Sequence, residues 1–306
     1  MDDVPVIFTD SVVGHIWKNF FCIYKFSKLD SPIWRESFRK FNKNEHSYDF
    51  TFAIDASHQW NYRIYSLHDQ EEQLLKDVPK VLMKHRRISH LIFDMAAFTT
   101  AQTLQRMHRT NIKVATFLVD HLAHQACIPH LVAKENGSYF ISEFLSILHR
   151  RSYISNLKLS IYHSTVAPMV EDFVLDQIDN HRLQVLKLEG DFSERVAKAL
   201  PRLLLQQRLQ YLHFFANTMT LDLLQEIIDN WIAFGRPANL NMSLSYAFDK
   251  MDILKILDLE NEPNSYGHFV ATKNRESGEV VTAMVAHSIH LSFRKQFRGL
   301  PSLLSM

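Results

Sequence analysis

The hydrophobic and polar positions of this chain change their period several times after residue 48. Some stretches alternate or run apolar as β-strands do, and the stretches between them carry apolar residues at helical spacing. The first kind predicts strands near residues 48–55, 61–67, 88–94, 112–118, 155–161, 183–189, 209–215 and 238–245. The second kind predicts helices near residues 70–85, 98–109, 142–150, 169–180, 193–206, 220–233 and 250–258. Strands that alternate with helices indicate an α/β fold built from parallel β-α units.

Several of the predicted strands share a Leu-x-Leu pattern. Its first leucines recur about every 26 to 29 residues, which lies within the period of leucine-rich repeats. The aligned leucines are Leu157, Leu186, Leu212 and Leu240. Residues 47–259 are therefore interpreted as an irregular leucine-rich-repeat-like β-α solenoid. The alternative is an ordinary doubly wound α/β core, which also alternates apolar strands with helices.

A second internal similarity supports the repeat interpretation. The segment VPKVLMKHRRISHLIF (78–93) resembles LPRLLLQQRLQYLHF (200–214) in the order and spacing of its residues. Pro79 and Pro201 lie inside helical patterns, and we expect each of them to kink or split its helix.

The strand alternation assigns two faces to the predicted solenoid. The leucines of each strand point inward, so their neighbours face the concave side. We expect a partner protein to bind there, with Tyr211 and Phe215 as aromatic anchors. The candidate residues are Lys158, Lys187, Glu189, Tyr211, His213, Phe215, Asn239 and Asn241.

The last part of the chain, residues 260–306, changes character again. A turn signal at Asn274–Gly278 separates two strand-like runs and predicts a β-hairpin or a short meander. We expect this hairpin to cover the open edge of the solenoid.

The first 46 residues carry many large apolar side chains for their length. Apolar residues recur at helical spacing after Val4-Pro5, and Ser31-Pro32 provides an N-cap followed by proline at the first helical position. A second apolar stripe follows in the same segment at Ile33, Trp34, Phe38 and Phe41. Part of this surface is expected to bind another protein.

Composition excludes several classes of function. The net charge is +1, from 34 basic and 33 acidic residues, so neither nucleic acid nor a membrane surface is a favoured partner. Glycine occurs only seven times, and the Gly-rich motifs of nucleotide sites and nucleophile elbows are missing. Two cysteines, Cys22 and Cys127, and the lack of a signal peptide or membrane-spanning run predict a cytoplasmic or nuclear protein.

No residue pattern predicts catalysis, a cofactor or a metal. The segment HLAHQACIPH spaces His121, His124, Cys127 and His130 three apart, but a closed zinc site pairs two distant dyads, so we interpret it as a histidine-rich surface loop. Acidic side chains at the ends of predicted strands have no second group at a meaningful spacing. These are Asp94, Asp120, Glu189 and Asp191. The chain is expected not to be an enzyme.

Together, Val4-Pro5, the apolar helix after it and the segment KFSKLDSPIWRESF, which bears Trp34, resemble an F-box. The opening MDDVPVIFTDSVV is similar to the start of the large nematode family of F-box and F-box-like proteins, whose remainder is often a divergent leucine-rich-repeat-like region. The resemblance implies a substrate receptor of a Skp–cullin–F-box ubiquitin ligase. Residues 1–46 would bind a Skp-type adaptor and, through it, a cullin and a RING protein, while the solenoid binds a target protein. The implied adaptor contacts are Val4, Pro5, Phe8, Val12, Val13, Ile16, Trp17, Leu29, Pro32, Ile33, Trp34 and Phe38.

Two other interpretations stay open. The N-terminal helices would instead cap the end of a solenoid that binds or sequesters a partner without ligase function. A more distant interpretation is an α/β enzyme whose site has no recognisable motif.

Overall fold

The structure of the protein is a computed structural model. It describes residues 32–44, 46–55, 57–66, 70–74, 86–95, 106–123, 127–136, 140–206, 208–234, 239–244, 252, 255–256, 269–274, 279–285 and 289–295. The predicted opening helix lies outside the described residues. So do the predicted adaptor contacts Val4, Pro5, Phe8, Val12, Val13, Ile16, Trp17 and Leu29.

The described residues divide into two compact units. The first contains those up to Ala133 together with Ile147–Ile154, and the second contains those of Lys134–Ser146 and those from Ser155 onward. Both units contain helices and strands, which confirms the predicted α/β class.

The first unit begins with helix α1 (Pro32–Asn44), which starts at the proline where the Ser31-Pro32 signal predicts it. Its first strands are β1 (His46–Ile54), β2 (Trp60–Ser66), β3 (Glu71–Gln73), β4 (Arg86–Met95) and β5 (His108–Arg109). Strand β1 pairs antiparallel with β2 and parallel with β4, and both β3 and β5 pair antiparallel with β2. Phe52 and Phe93 are buried, and their rings stack with centroids 5.8 Å apart.

The prediction of a strand over residues 112–118 is wrong, because helix α2 (Ile112–Ala123) occupies them. The side chain of Asn111 accepts a hydrogen bond from the backbone N–H of Val114 at 3.0 Å and so caps the first turn. The buried positions of the helix have helical spacing, at Ala115, Leu118 and Val119. Alternating β-branched residues favoured a strand, whereas the asparagine cap was the sequence signal for a helix.

Three further predicted elements differ from the structure. The predicted helix over 70–85 contains strand β3, and the one over 98–109 ends in strand β5; residues 75–85 and 96–105 lie outside the described part. The predicted histidine-rich loop ends in a strand, β6 (Cys127–Asn136), which lies beside β4. Ile128, Leu131 and Ala133 of β6 are buried, so its apolar positions hold it in the sheet although its histidines and Pro129 suggested a loop.

The second unit contains most of helix α3 (Phe140–Leu148) and of strand β7 (Tyr153–Thr165). It continues with α4 (Pro168–Asp179), β8 (Val185–Asp191), α5 (Glu194–Ala197), α6 (Leu200–Leu203), β9 (Tyr211–Phe215), α7 (Leu221–Phe234) and β10 (Asn239–Leu244). The break between α5 and α6, with Pro201 in the first turn of α6, confirms the predicted split of this helix.

Strands β7, β8, β9 and β10 lie side by side in chain order and are parallel. Right-handed crossovers between sequential parallel strands place the connecting helices on one side of the sheet. Helix α6 contacts both α4 and α7, as neighbours in such a layer do. The side chains on the helix side are completely buried, including Leu157, Leu186, Leu212 and Phe214.

The predicted repeat alignment needs one correction, in the fourth strand. Leu157, Leu186 and Leu212 are in register, as predicted, but the residue opposite Leu212 on β10 is Met242 and not Leu240. The error is two residues, so it leaves every side chain of β10 on its predicted face.

The C-terminal strands form an antiparallel meander of β11 (Phe269–Asn274), β12 (Glu279–Val285) and β13 (Ile289–Lys295). Strand β13 pairs antiparallel with β10 along its whole length, so this edge of the parallel strands is covered. None of the described helices is long and apolar enough to cross a membrane.

The side chain of Gln206 forms hydrogen bonds that connect the end of α6 with the turn after α4. Its amide is buried, accepts a hydrogen bond from the N–H of Leu183 at 3.1 Å and donates one to the carbonyl of Ile178 at 2.8 Å. Replacing Gln206 with Met keeps the volume but removes the acceptor of the Leu183 N–H and one of the two donors to the Ile178 carbonyl, which also accepts from the His181 N–H. We expect the free energy of unfolding to fall by about 1–3 kcal/mol in urea titrations. The same change at the exposed Gln210 is the control, and an equal effect at both positions would contradict this role for Gln206.

Candidate functional site

The sheet face opposite the helices in the second unit carries the candidate target-binding residues. We call it the open face. It consists of Asn156, Lys158, Ser160 and Tyr162 on β7, Val185, Lys187 and Glu189 on β8, Tyr211, His213 and Phe215 on β9, Asn241 and Ser243 on β10, and His290 and Ser292 on β13. The structure thus brings seven of the eight predicted residues together on one face, and the side chain of the eighth, Asn239, lies outside the described residues.

Neighbouring strands place these side chains in rows across the sheet. One row has mostly basic side chains, and its members are paired in register: Lys158, Lys187, His213, Ser243 and His290. The next row contains Ser160, Glu189 and Phe215. The candidate residues therefore come from segments far apart in sequence but lie within a few strand spacings of each other.

The carboxylate of Glu189 is the centre of the open face. One oxygen accepts hydrogen bonds from the Ser160 hydroxyl at 2.6 Å and the Tyr162 hydroxyl at 3.0 Å. The other oxygen lies 2.9 Å from Nζ of Lys187 and 3.1 Å from Nε2 of His213. Four donors thus surround one carboxylate, which is well fixed and has little remaining capacity to act as a base.

The four donors decide the protonation state of Glu189. Burial by itself acts to raise the pKa of this carboxyl group, but the hydrogen bonds from Ser160, Lys187 and Tyr162 outweigh it and lower the pKa to about 2. Glu189 is therefore ionised at physiological pH.

His213 links Glu189 to an aromatic stack on β9. Its ring lies nearly parallel to that of Phe215, with centroids 4.4 Å apart, and also stacks on Tyr211 at 6.2 Å. Burial, followed by the charge of Lys187, lowers the pKa of His213 below its usual value. In the neutral ring Nε2 donates to Glu189, and Nδ1 accepts from the Tyr211 hydroxyl at 3.3 Å.

Gly190 allows β7 and β8 to approach each other closely beside this network. Its φ is +137°, and a Cβ atom at this position would lie 2.4 Å from the carbonyl oxygen of Ile161. Beside it the pairing of β7 with β8 shifts register between Ser160 and Thr165, as at a β-bulge. Tyr162 lies within this irregular stretch, and its hydroxyl reaches the carboxylate of Glu189.

Sequence reasoning did not include Tyr162, His290 or Ser292 in the site. Tyr162 continues the alternation of β7 two residues after Ser160, so the strand pattern could have found it. His290 and Ser292 join the open face only because β13 pairs with β10, and the hydroxyl of Ser292 donates to the Asn241 side chain at 3.1 Å. No local signal in the sequence gives that long-range pairing.

The described part of the predicted adaptor surface is the start of α1. Pro32 is exposed, Ile33 and Trp34 are half-buried, and the side chain of Phe38 is outside the described residues. The indole Nε1 of Trp34 is enclosed and has no hydrogen-bond partner. The ring is therefore partly covered within the protein itself.

The other candidate groups of the sequence do not form a site. Within the described ranges no group of three His, Cys, Asp or Glu side chains could hold a metal ion. His130 instead stacks on His90 at 4.4 Å, and His90 is hydrogen-bonded to Asp49 at 2.7 Å. Asp120 forms an ion pair with Arg151 at 2.8 Å, and Asp191 is exposed.

The network predicts a specific dependence of stability on pH. Because the pKa of Glu189 is lowered when the protein folds, its contribution is fully present above its ordinary value of 4.5 and is lost as the pH falls towards about 2. The pKa of His213 is lowered too, so its contribution to the free energy of unfolding falls on acidification below pH 6.5.

We expect urea titrations to show that Glu189→Gln destabilises the protein at neutral pH. The difference from wild type should shrink below pH 4.5 and be mostly lost near pH 2. A difference that stays constant over this range would contradict the assigned role of the Glu189 charge.

The open face is thus a fixed, half-exposed surface of lysines, hydroxyls and aromatic rings around one satisfied carboxylate. No family model matches this chain, and no curated protein or solved structure is significantly similar to it.

Proposed function

We propose that this protein is a substrate receptor of a Skp–cullin–F-box type ubiquitin ligase. Residues 1–46 bind a Skp-type adaptor, which connects the chain to a cullin and a RING protein, and the open face binds the target. The observation that carries the proposal is the open face itself, where Tyr211, His213 and Phe215 stay partly exposed although the opposite side of the same strands is fully buried.

In this role the protein does not itself catalyse a covalent reaction. Holding the target on the ligase raises the effective concentration of a target lysine near the charged ubiquitin-conjugating enzyme. A pre-organised surface suits that task, because side chains that are already fixed lose little entropy on binding. The hydrogen bonds that hold Glu189 and His213 provide such fixation on the open face.

The leucine-rich-repeat-like solenoid belongs to the same proposal. The sequential order of β7 to β10, their parallel direction and the helix contacts on one side support it. In a doubly wound sheet the strand order reverses at a switch point and helices cover both faces. A repeat arrangement leaves one face for a partner.

The second candidate function is a protein-binding solenoid without ligase activity, whose N-terminal helices only cap it. The partly covered ring of Trp34, with its enclosed Nε1, favours this alternative, because an adaptor anchor should be accessible. Val4 also stands where an F-box usually has leucine.

Adaptor binding separates the two functions. Co-expression of the full chain with a Skp-type adaptor is expected to give a stable complex. Trp34→Ala should weaken the complex by roughly 30- to 1,000-fold, as truncation of an aromatic anchor costs ~2–4 kcal/mol of binding. Glu36→Ala is the matched control, because Glu36 is an exposed residue of α1 that pairs with Arg39 of the same helix.

The thermal midpoint of each variant must be measured beside the pull-down. Under the ligase proposal, deletion of residues 1–46 and a Val13→Asp change abolish adaptor binding while the rest of the chain stays folded. Under the cap alternative, the intact protein binds no adaptor, and the deletion unfolds or aggregates the remainder.

A further inference from the structure

The basic row of the open face contains two lysines that face each other on neighbouring strands. Lys158 of β7 and Lys187 of β8 are direct partners in the parallel register, and both point away from the helices. Side chains in this relation lie about 5 Å apart at their Cβ atoms, and like charges placed there repel each other. Two ammonium groups at these positions would repel each other, and an anion between them would relieve that repulsion.

Glu189 compensates only one of these charges. It forms an ion pair with Lys187, and its remaining acceptor positions are filled by Ser160, Tyr162 and His213. Lys158 is exposed, and no carboxylate among the described residues pairs with it. This part of the open face thus has two ammonium groups and one carboxylate. The carboxylate pairs with Lys187, so the positive charge of Lys158 has no counterion among the described residues.

An apolar surface adjoins the free charge. The aromatic stack of Tyr211, His213 and Phe215 runs along β9, which is the strand next to Lys187. Strands are about 4.8 Å apart, and an extended peptide rises about 3.3 Å per residue. A carboxylate above the lysines and an apolar side chain above the stack can therefore come from positions one to three residues apart in one extended segment.

We propose that the target binds through an acidic segment whose carboxylate lies between Lys158 and Lys187 and whose neighbouring apolar or aromatic side chain packs on the Tyr211–Phe215 stack. The inference rests on the proposed function of the open face as the target-binding surface. It deepens that function by naming the chemistry of the target. The acidic group would contribute favourably to the binding free energy, because it removes the repulsion between the lysines as well as forming new ion pairs.

The test uses the full chain and a library of short peptides in which one Asp and one Phe are separated by zero to two residues. Three matched libraries carry one replacement each: Asn in place of Asp, phosphoserine in place of Asp, or Ala in place of Phe. We expect the Asp–Phe peptides to bind in fluorescence anisotropy, and the Asn–Phe peptides to bind at least about 10-fold more weakly. Lys158→Glu should abolish binding. Lys113→Glu should leave binding unchanged, because it makes the same charge change at an exposed position on α2.

Three results would overturn the inference: equal binding of the Asn and Asp libraries, binding of the phosphoserine library alone, or no binding of any Asp–Phe peptide to the wild type. Failure of the proposed function gives a different pattern. In that case target capture in cells survives removal of Tyr211, His213 and Phe215. If capture is lost with those rings but the Asn and Asp libraries bind equally, only the acidic chemistry is wrong.

The lysine pair also predicts an effect in the free protein. Lys158→Gln should raise Tm by about 1–3 °C at low salt, since it removes the like-charge repulsion from a chain of this size. Lys113→Gln should leave Tm unchanged, and 1 M salt should reduce the effect of Lys158→Gln. An unchanged or lowered Tm for Lys158→Gln would contradict the repulsion on which the inference depends.

Discussion

Gly190→Ala is expected to reduce the free energy of unfolding by about 3–5 kcal/mol, because backbone strain and steric overlap add at this position. The φ of +137° lies in a region that is accessible almost only to glycine. The new Cβ would also lie 2.4 Å from the carbonyl oxygen of Ile161, which belongs to the backbone of a paired strand and cannot rotate away.

The change should damage the open face before it unfolds the unit. Relief of the overlap requires β7 to move away from β8 next to Glu189, which would remove the Tyr162 hydroxyl from the carboxylate. The measurement is urea unfolding together with the pH dependence described above for Glu189. The control is Asp191→Ala, which changes the next residue along the chain. Because Asp191 is exposed, this change should lower the free energy of unfolding only slightly. Wild-type stability in Gly190→Ala would show that the close approach of Gly190 to Ile161 is not a fixed feature of the fold.

Simultaneous replacement of Tyr211, His213 and Phe215 by Ala is expected to abolish target capture. The three rings form one continuous stack and are partly exposed on the face opposite the described helices. Loss of a single aromatic anchor typically costs ~2–4 kcal/mol of binding, so loss of the stack should reduce affinity more than 1,000-fold. The effect can be measured by co-purification of the target in cells in which the proteasome is blocked.

Two controls separate binding from folding. Adaptor binding should survive in the triple variant, because the adaptor contacts are assigned to residues 1–46. Alanine at both Phe117 and Leu205, which are more than half exposed and lie on helix α2 and just after α6, should leave target capture intact. Capture that persists in the triple variant would mean that the open face is not the target-binding surface.

The sequence was sufficient for features that depend on local chemistry. The Leu-x-Leu strands, the start of α1 at Pro32 and the split at Pro201 follow from period, capping and ring geometry, and the structure has all of them. The alternation rule also places the described target-binding candidates on one face of the sheet, including Asn241 on β10, where the predicted register was off by two residues.

Features that depend on distant pairing could not be predicted. The donors around Glu189 come from three strands, and only the register of β7, β8 and β9 brings them together. The C-terminal hairpin was expected to cover the edge of the solenoid, but the pairing of β13 with β10 joins segments about 50 residues apart, and no local pattern gives its register. The strand predicted over 112–118 failed for a different reason, since the prediction did not include the side-chain cap of Asn111, which begins a helix at this point.

Affinity purification of the full chain with the proteasome blocked tests the central claim most directly, when wild type, Trp34→Ala and the Tyr211/His213/Phe215 triple variant are compared by quantitative mass spectrometry. We expect the wild type to recover a Skp-type adaptor, a cullin and at least one protein that accumulates only under the block. Trp34→Ala should lose the adaptor and the cullin but keep the accumulating protein, and the triple variant should show the reverse. Recovery of a partner without any adaptor or cullin, unchanged in both variants, would contradict the account.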